Sequence, residues 1–494
     1  MPYAYEFVKS VKSMATFKGA KQLRKMVYAR KFLANYTILV AGELLGRLLA
    51  FWAMVHIAGV LGKNLFGTLS FATALTAYFE LIARQGLDTY GIRAVAREPS
   101  QTRRYAETLL GLRLITSVIA FLALGVAVWC LAKPNELKIL ILLSGLMFFT
   151  SGLSTQWIFQ AIEEMKYAAA ARTGSTLIFA LFVLSILKRP GQFFYVPLFQ
   201  FTSEAVAVFW LSMVFCRRYG LPHPAFDFAA WGKILRESMP MALEGVFGVV
   251  LFNFDILMLG FWRPASDVGE YSAAYKLLNF ASSFVFLYAT NLLPLISRSR
   301  GNTAGLGRVA HRLLKYTLFL AIPLAAGGTL LAHDLMTSIF GSQFSSAARA
   351  LQILIWVIPL MTCRVVLWNT LLSHGFQRNL LQCTAYAAAI NVILNLLLIP
   401  RCAYVGSAIA MVIAESALLL FMHRQVAGKV VRLPLALHVW RPALACIPMA
   451  LLVVWLQATG LLVRMAAGAS IYLLAAWMMG VLKMQEIGEF TKQS

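Results

Sequence analysis

Along most of the chain the hydrophobic positions follow neither a helical stripe nor a strand alternation. They gather into apolar runs near 20 residues long, separated by short polar and basic loops. A run of about 20 apolar residues wound as a helix crosses ~30 Å of hydrocarbon and satisfies its own backbone hydrogen bonds. The runs predict spans near 32–60, 66–84, 108–132, 138–162, 167–187, 193–216, 238–262, 270–296, 313–332, 350–373, 379–400, 403–423, 442–460 and 465–482. Pro240, Pro294, Pro323 and Pro359 fall inside them, which membrane helices accept because neighbouring helices satisfy the freed backbone groups.

Composition adds that no soluble domain of any size accompanies these spans. The 494 residues are 60% hydrophobic and 13% charged, with mean hydropathy +0.73. The net charge of +24 has a nucleic-acid reading, but the charge is spread over loops between spans and forms no soluble basic face. Topology and anionic membrane lipids explain it better. Alternate loops hold most of it: Lys9 to Lys31, then Arg93, Arg97, Arg103 and Arg104, then Arg217 and Arg218, then Arg298, Arg300 and Arg308. Such asymmetry places both termini in the cytoplasm. Cys130, Cys216, Cys363, Cys383, Cys402 and Cys446 show no CxxC spacing and no histidine cluster, so neither a disulfide framework nor a zinc site is expected.

The chain also repeats itself with a period of roughly 200 residues. Leu61-Gly62 followed by Gly67-Thr-Leu-Ser70-Phe-Ala72 returns as Leu259-Gly260 followed by Gly269-Glu-Tyr-Ser272-Ala-Ala274, and Thr202-Ser203-Glu204-Ala205 returns as Ala414-Glu415-Ser416-Ala417. Six spans per repeat is an even number, so both copies enter the membrane in the same direction. The expected fold is an all-α membrane protein of about 14 transmembrane helices: two six-helix repeats in parallel orientation plus two C-terminal helices. The divisions are a basic cytoplasmic segment 1–31, a first half 32–231, a second half 232–430, and 431–494 with two further spans and a short tail.

Ionisable residues inside spans cost about 2.5–3.5 kcal/mol each, so they face a cavity or a partner. Span one holds Glu43, Arg47 and His56, span two Glu80 and Arg84, span six Glu204, span seven Glu244 and Asp255, span eight Lys276, span ten Arg364 and span twelve Glu415. Glu43 with Arg47, and Glu80 with Arg84, stand at i,i+4 spacing and can neutralise each other. Lys276 and Arg364 have no partner at helical spacing in their own spans, which suits a cationic lumen for a phosphate-bearing substrate. Candidate cavity residues are Arg47, Lys276, Arg364, Glu43 and Asp255; Glu204, Glu244 and Glu415 are candidates for carrying a coupled proton. Asn391 and Asn395 share one face of span eleven, where hydrogen bonding between helices is expected.

Three stretches resemble the polysaccharide-transporter, or Wzx-type, branch of the multidrug/oligosaccharidyl-lipid/polysaccharide flippase superfamily. They are Leu61-Gly62 through Gly67 to Gly86-Leu87 and Arg93; Asp255 through Gly260 and Gly269 to Lys276; and Asn391-x-x-x-Asn395-x-x-x-Ile399-Pro400 with Gly406 to Ala410 and Glu415. Ala403, Ser407 and Met411 depart from the usual Gly, Ala and Thr of the third stretch. The resemblance implies a flippase of the bacterial inner membrane that moves a polyprenyl-diphosphate-linked oligosaccharide to the outer leaflet. Polysaccharide polymerase and glycosyltransferases are then its expected partners, and no cofactor is called for. Gly62-Lys63-Asn64 lacks the rest of a P-loop. A peptidoglycan-precursor flippase or a multidrug exporter of the same superfamily is the nearer alternative. A membrane glycosyltransferase or polymerase is the more distant one, disfavoured by short outer loops without paired carboxylates.

Overall fold

In the computed structural model the described residues are 3–84, 86–289 and 303–480, with side chains described from Gly42 onward except Glu43, 284–289, 303–304 and Ala436. The basic side chains of segment 1–31, and the carboxyl of Glu43, therefore lie outside the described residues.

All regular structure among the described residues is helical. The first part of the chain forms α1 (Tyr3–Arg84), α2 (Leu87–Arg97), α3 (Thr102–Cys130), three short helices α4 (Asn135–Gly145), α5 (Met147–Leu153) and α6 (Gln156–Ala161), then α7 (Met165–Ile186) and α8 (Tyr195–Tyr219). The second part forms α9 (Phe228–Trp262), α10 (Ala265–Ala289), α11 (Thr303–Leu330), α12 (Ala332–Phe340), α13 (Ala348–Leu354), α14 (Val357–Ser373) and α15 (Gln377–Lys429), followed by α16 (Ala436–Trp455) and α17 (Leu461–Met478).

Eleven segments are long and apolar enough to cross a membrane, and two of them, Leu44–Arg97 and Gln377–Lys429, have 54 and 53 residues. A straight helix of that length would reach about 80 Å, far beyond ~30 Å of hydrocarbon. Each is interrupted where the backbone leaves the helical region: at Gly62 (φ 70°, ψ 170°) in α1 and at Ala403 (φ 50°, ψ −135°) in α15. At Ala403 the chain doubles back, since a Cβ on Gly406 would stand 2.6 Å from the carbonyl oxygen of Leu398. On one helix those two residues would be about 12 Å apart. With both reversals, and with the more polar α10, the described residues make fourteen passes. The end of the molecule carrying Gly62 and Ala403 is called the hairpin end below.

Helix ends differ from the apolar boundaries where capping decides them. The seventh span starts ten residues early in α9, because Asp227 accepts a hydrogen bond from the Ala230 N–H (3.0 Å) and caps a polar first stretch. The fourth span is broken into α4, α5 and α6. Arg113 of α3, 3% exposed, holds the break: it donates to the carbonyls of Ser151 (2.5 Å) and Ser154 (3.2 Å) and pairs with Asp88 (2.8 Å). Hydrocarbon offers those freed carbonyls no water, so a buried guanidinium takes its place.

The two copies of the repeated motif meet where α1 crosses α10. A Cβ on Gly67 would lie 1.8 Å from the Ala265 carbonyl oxygen, and one on Gly269 would lie 2.0 Å from that of Lys63. Each glycine of the motif thus touches the backbone just ahead of the other glycine, a reciprocal contact of the kind a two-fold axis produces. Neither position admits even a methyl group.

Ala403 occupies a backbone region that is essentially reserved for glycine and costs a residue with a Cβ of order 1–3 kcal/mol. Replacing it by glycine, after allowing for the greater freedom of glycine in the unfolded chain, should stabilise the fold by about 1 kcal/mol. Thermal unfolding of purified Ala403→Gly should show a higher midpoint; a lower one would mean that the methyl packs favourably enough to outweigh the strain.

Candidate functional site

The helices that bear the repeated motif enclose a cavity of 320 Å³, lined from α1 by Ser70, Thr73 and Ala74, from α9 by Phe252, Asn253 and Ile256, and from α10 by Tyr275, Lys276 and Asn279. The helix rise sets its depth: Lys276 lies seven residues beyond Gly269, about 10 Å inward from the glycine crossing.

The hairpin end above the cavity is fastened. Lys63 Nζ pairs with Glu270 Oε1 at 3.0 Å, the hydroxyl of Ser346 donates to the same oxygen at 2.7 Å, and Tyr404 donates to the Ser346 carbonyl at 3.1 Å. Phe66 meets Phe344 edge to face, and Lys133 Nζ donates to the Gly260 carbonyl at 3.0 Å. On the other side of the cavity Phe51 stacks on Phe280 at 4.1 Å, Arg47 Nη1 donates to the Ser283 carbonyl at 3.3 Å, and the Gly86 backbone lies against Met241. Packed contacts between α1 and its partners α9 and α10 therefore flank the chamber on both sides.

The structure separates the charges singled out in the sequence. Lys276 lines the chamber, half-buried, with no hydrogen bond or ion pair to any described residue. Arg364 does not: 9% exposed within α14, it is bonded through Nε to Glu415 Oε2 of α15 at 3.0 Å, 51 residues away. The pair spends both charges on each other, so Arg364 is not the second lumen cation that its lack of a partner in its own span implied. Glu204 and Glu415, alike in the sequence repeat, sit in unlike settings, since Glu204 accepts from the Ser175 hydroxyl at 2.8 Å. Glu244 is exposed on α9. Arg84 pairs with Glu80 at 2.9 Å, as their spacing implied.

Asp255, 1% exposed, does not reach the chamber. It accepts from the Tyr271 hydroxyl at 2.5 Å, from Asn395 Nδ2 at 2.5 Å and from Asn391 Nδ2 at 3.1 Å, which ties α9, α10 and α15 together. The two asparagines thus make the interhelical bonds expected of them. Sequence reasoning missed Asn253 and Asn279, since single polar residues in apolar runs carry no spacing signal, and met Ser70 only as part of the repeated motif. It also missed Arg113, and the Lys63–Glu270 pair, although both of those residues adjoin motif glycines.

A chamber of hydrogen-bonding groups between apolar helices long enough to cross a membrane is the arrangement of a polytopic transporter. Comparison with known proteins agrees. The profile of the polysaccharide biosynthesis protein family matches residues 32–300, and the MatE profile matches residues 240–397. A Shigella dysenteriae protein described as an O-antigen transporter is 23% identical over 381 residues, 74% of this chain and 93% of that protein. A Haloferax volcanii protein, Agl15, described as a low-salt glycan biosynthesis flippase, is 24% identical over 192 residues, 38% of this chain and 40% of that one. The lipid II flippase MurJ in an inward closed conformation shares the fold with a TM-score of 0.75 at 14% identity, over 90% of this chain and 98% of that chain. The chain belongs to the polysaccharide biosynthesis protein family, the Wzx-type branch that its motifs resemble.

If Arg364 and Glu415 serve the fold, removing one partner should cost about 3–5 kcal/mol and removing both considerably less. Melting of Arg364→Gln, Glu415→Gln and the double variant should show the double variant recovering much of the loss; additive losses would mean that the two side chains act separately.

Proposed function

We propose that the chain moves a polyprenyl-diphosphate-linked oligosaccharide, the repeat unit of an O-antigen, capsule or exopolysaccharide, from the cytoplasmic to the outer leaflet of the bacterial inner membrane. The observation that carries this reading is the unpaired Lys276 ammonium in a chamber whose other described lining residues are neutral. A charge within the membrane is costly until matched, and a diphosphate matches it through charge-assisted hydrogen bonds. The names of the relatives agree with that substrate. The same ammonium repels a cationic drug and so argues against multidrug export.

Alternating access follows from rocking 32–231 against 232–430, with 431–494 as an addition, and the reciprocal Gly67 and Gly269 contacts support that division. The basic loops favour cytoplasmic termini, which puts the fastened hairpin end on the outer face. An interior-negative potential releases about 2.3 kcal/mol per 100 mV for each negative charge moved outward. Transport then needs no chemical step, and the chain acts as a carrier, not an enzyme. Glycosyltransferases supply its substrate and a polymerase consumes the product.

Lys276→Gln should lower translocation of lipid-linked glycan about tenfold or more at unchanged protein level, whereas Lys276→Arg should keep part of it because the charge survives. Accumulated lipid-linked repeat units and lost surface polysaccharide report the defect, and full transport by the Gln variant would sink the proposal. For sidedness, a lone cysteine at Ser100 in a cysteine-free background should react with a membrane-impermeant thiol reagent only after cells are opened. Labelling of intact cells would reverse the orientation.

A further inference from the structure

At the hairpin end a second recess, of 230 Å³, opens beside the glycine crossing. Lys133 and Glu136, where α3 passes into α4, stand on one side of it, and Arg263, at the turn from α9 to α10, stands on the other. Two tryptophans mark its depth in the membrane. Trp129 and Trp262 close the apolar lengths of α3 and α9 and are 82% and 48% exposed, and indole rings gather where hydrocarbon gives way to lipid headgroups. The charged groups of the recess have bonds to spare. The Lys133 ammonium carries three donors and gives one, to the Gly260 carbonyl, where it caps the last turn of α9. Arg263 gives its Nε to Asp267 at 3.0 Å and leaves both terminal nitrogens without a bond to any described residue. Glu136 suits the first turn of α4, but its carboxylate likewise meets no described partner.

Two cations with free donors and one free carboxylate match a group that carries a phosphate and a primary ammonium a few bonds apart. A purely anionic head would be repelled by Glu136, and a choline head keeps its charge but has no N–H to give. The volume, below the roughly 300–1,000 Å³ of drug-sized ligand sites, suits a headgroup and excludes a glycan. We infer that this recess binds the phosphoethanolamine head of a phospholipid in the leaflet at the hairpin end. Its phosphate meets Lys133 and Arg263, and its ammonium meets Glu136. Lys133 belongs to residues 32–231 and Arg263 to 232–430, so the bound head ties together the two parts whose rocking is proposed above. One of them must let go of it before the hairpin end opens. The lipid is thus a brace on the closed end, separate from the cargo held at Lys276; the bracing, unlike the binding, rests on that division of the chain.

The test is lipid retention by the full chain, purified in detergent and offered dioleoyl phosphatidylethanolamine, phosphatidylglycerol or phosphatidylcholine, with native mass spectrometry counting the lipid bound. Phosphatidylethanolamine should be retained about fivefold better than either of the others, the scale of one partly exposed ion pair. Glu136→Gln should abolish that preference, and Glu136→Lys should turn it towards phosphatidylglycerol. Glu136 is exposed and holds no described residue, so neither variant should unfold the chain. Lys133→Gln and Arg263→Gln should each weaken all the lipids about threefold, because every one of them carries the phosphate. Retention without headgroup preference, or a preference indifferent to Glu136, overturns the inference. Soluble glycerophosphoethanolamine that displaces the lipid at equal concentration would make the free headgroup the ligand and overturn the membrane as its source. Bracing is read separately, from spin labels at the exposed positions Asn64 and Ser342 of a cysteine-free chain in nanodiscs. Phosphatidylethanolamine should narrow the distance distribution relative to phosphatidylglycerol, and Glu136→Gln should undo the narrowing; identical distributions in the two lipids overturn the brace. None of these readouts involves glycan transport, so failure of the proposed function would show elsewhere.

Discussion

Two backbones meet with no side chain between them where α1 crosses α10, and the arrangement of the chamber depends on that contact. Gly67 and Gly269 let the helices approach to a distance that any Cβ would forbid. Van der Waals packing is the main adhesive between helices in lipid, and small residues maximise it. The crossing brings Lys63 within reach of Glu270, sets Phe66 against Phe344, and fixes how far inward Ser70 and Lys276 sit. Larger residues there would part the helices, undo the fastening above the cavity and open its roof.

Charge inside the membrane is used in two ways. Most of it is matched within the protein: Arg364 by Glu415, Arg113 by Asp88 and two carbonyls, Asp255 by a tyrosine and two asparagines. These clusters join neighbouring helices, since one of a pair alone in hydrocarbon would be expensive. Lys276 is the contrast, and its openness has meaning only beside the others. Its ammonium faces a cavity and meets no described partner, which is the observation the proposed function rests on.

The number of passes was legible because hydropathy measures the solvent of each segment directly. Family membership was legible in motifs whose glycines turn out to stand at reversals and crossings. Helix ends were less so: the polar start of α9 obeys a cap at Asp227, to which hydropathy is blind. The site was the least legible part. Arg364 and Glu415 are 51 residues apart, and Asp255 is far from Asn391, so cancellation of charge depends on helix neighbours that no spacing within a span records. Lys276 was singled out because it lacked a partner in its own helix, a criterion that served equally for Arg364 and failed to separate them. Ala403 showed as a departure from the usual glycine, and only its dihedral angles reveal what the methyl costs.

Arg113 also bears on how the chain enters the membrane. Ribosomes deliver α3 before the segment that carries Ser151 and Ser154, 38 and 41 residues further on, so the guanidinium reaches the insertion machinery before the carbonyls it will bind exist. The interruptions in α4–α6 in turn leave carbonyls that would be bare in hydrocarbon without Arg113 beside them. Each member of the pair supplies what the other lacks. The helical hairpin of α3 with α4–α6 is thus chemically complete only as a pair, since the charge of one helix and the bare carbonyls of the other have no other match in lipid.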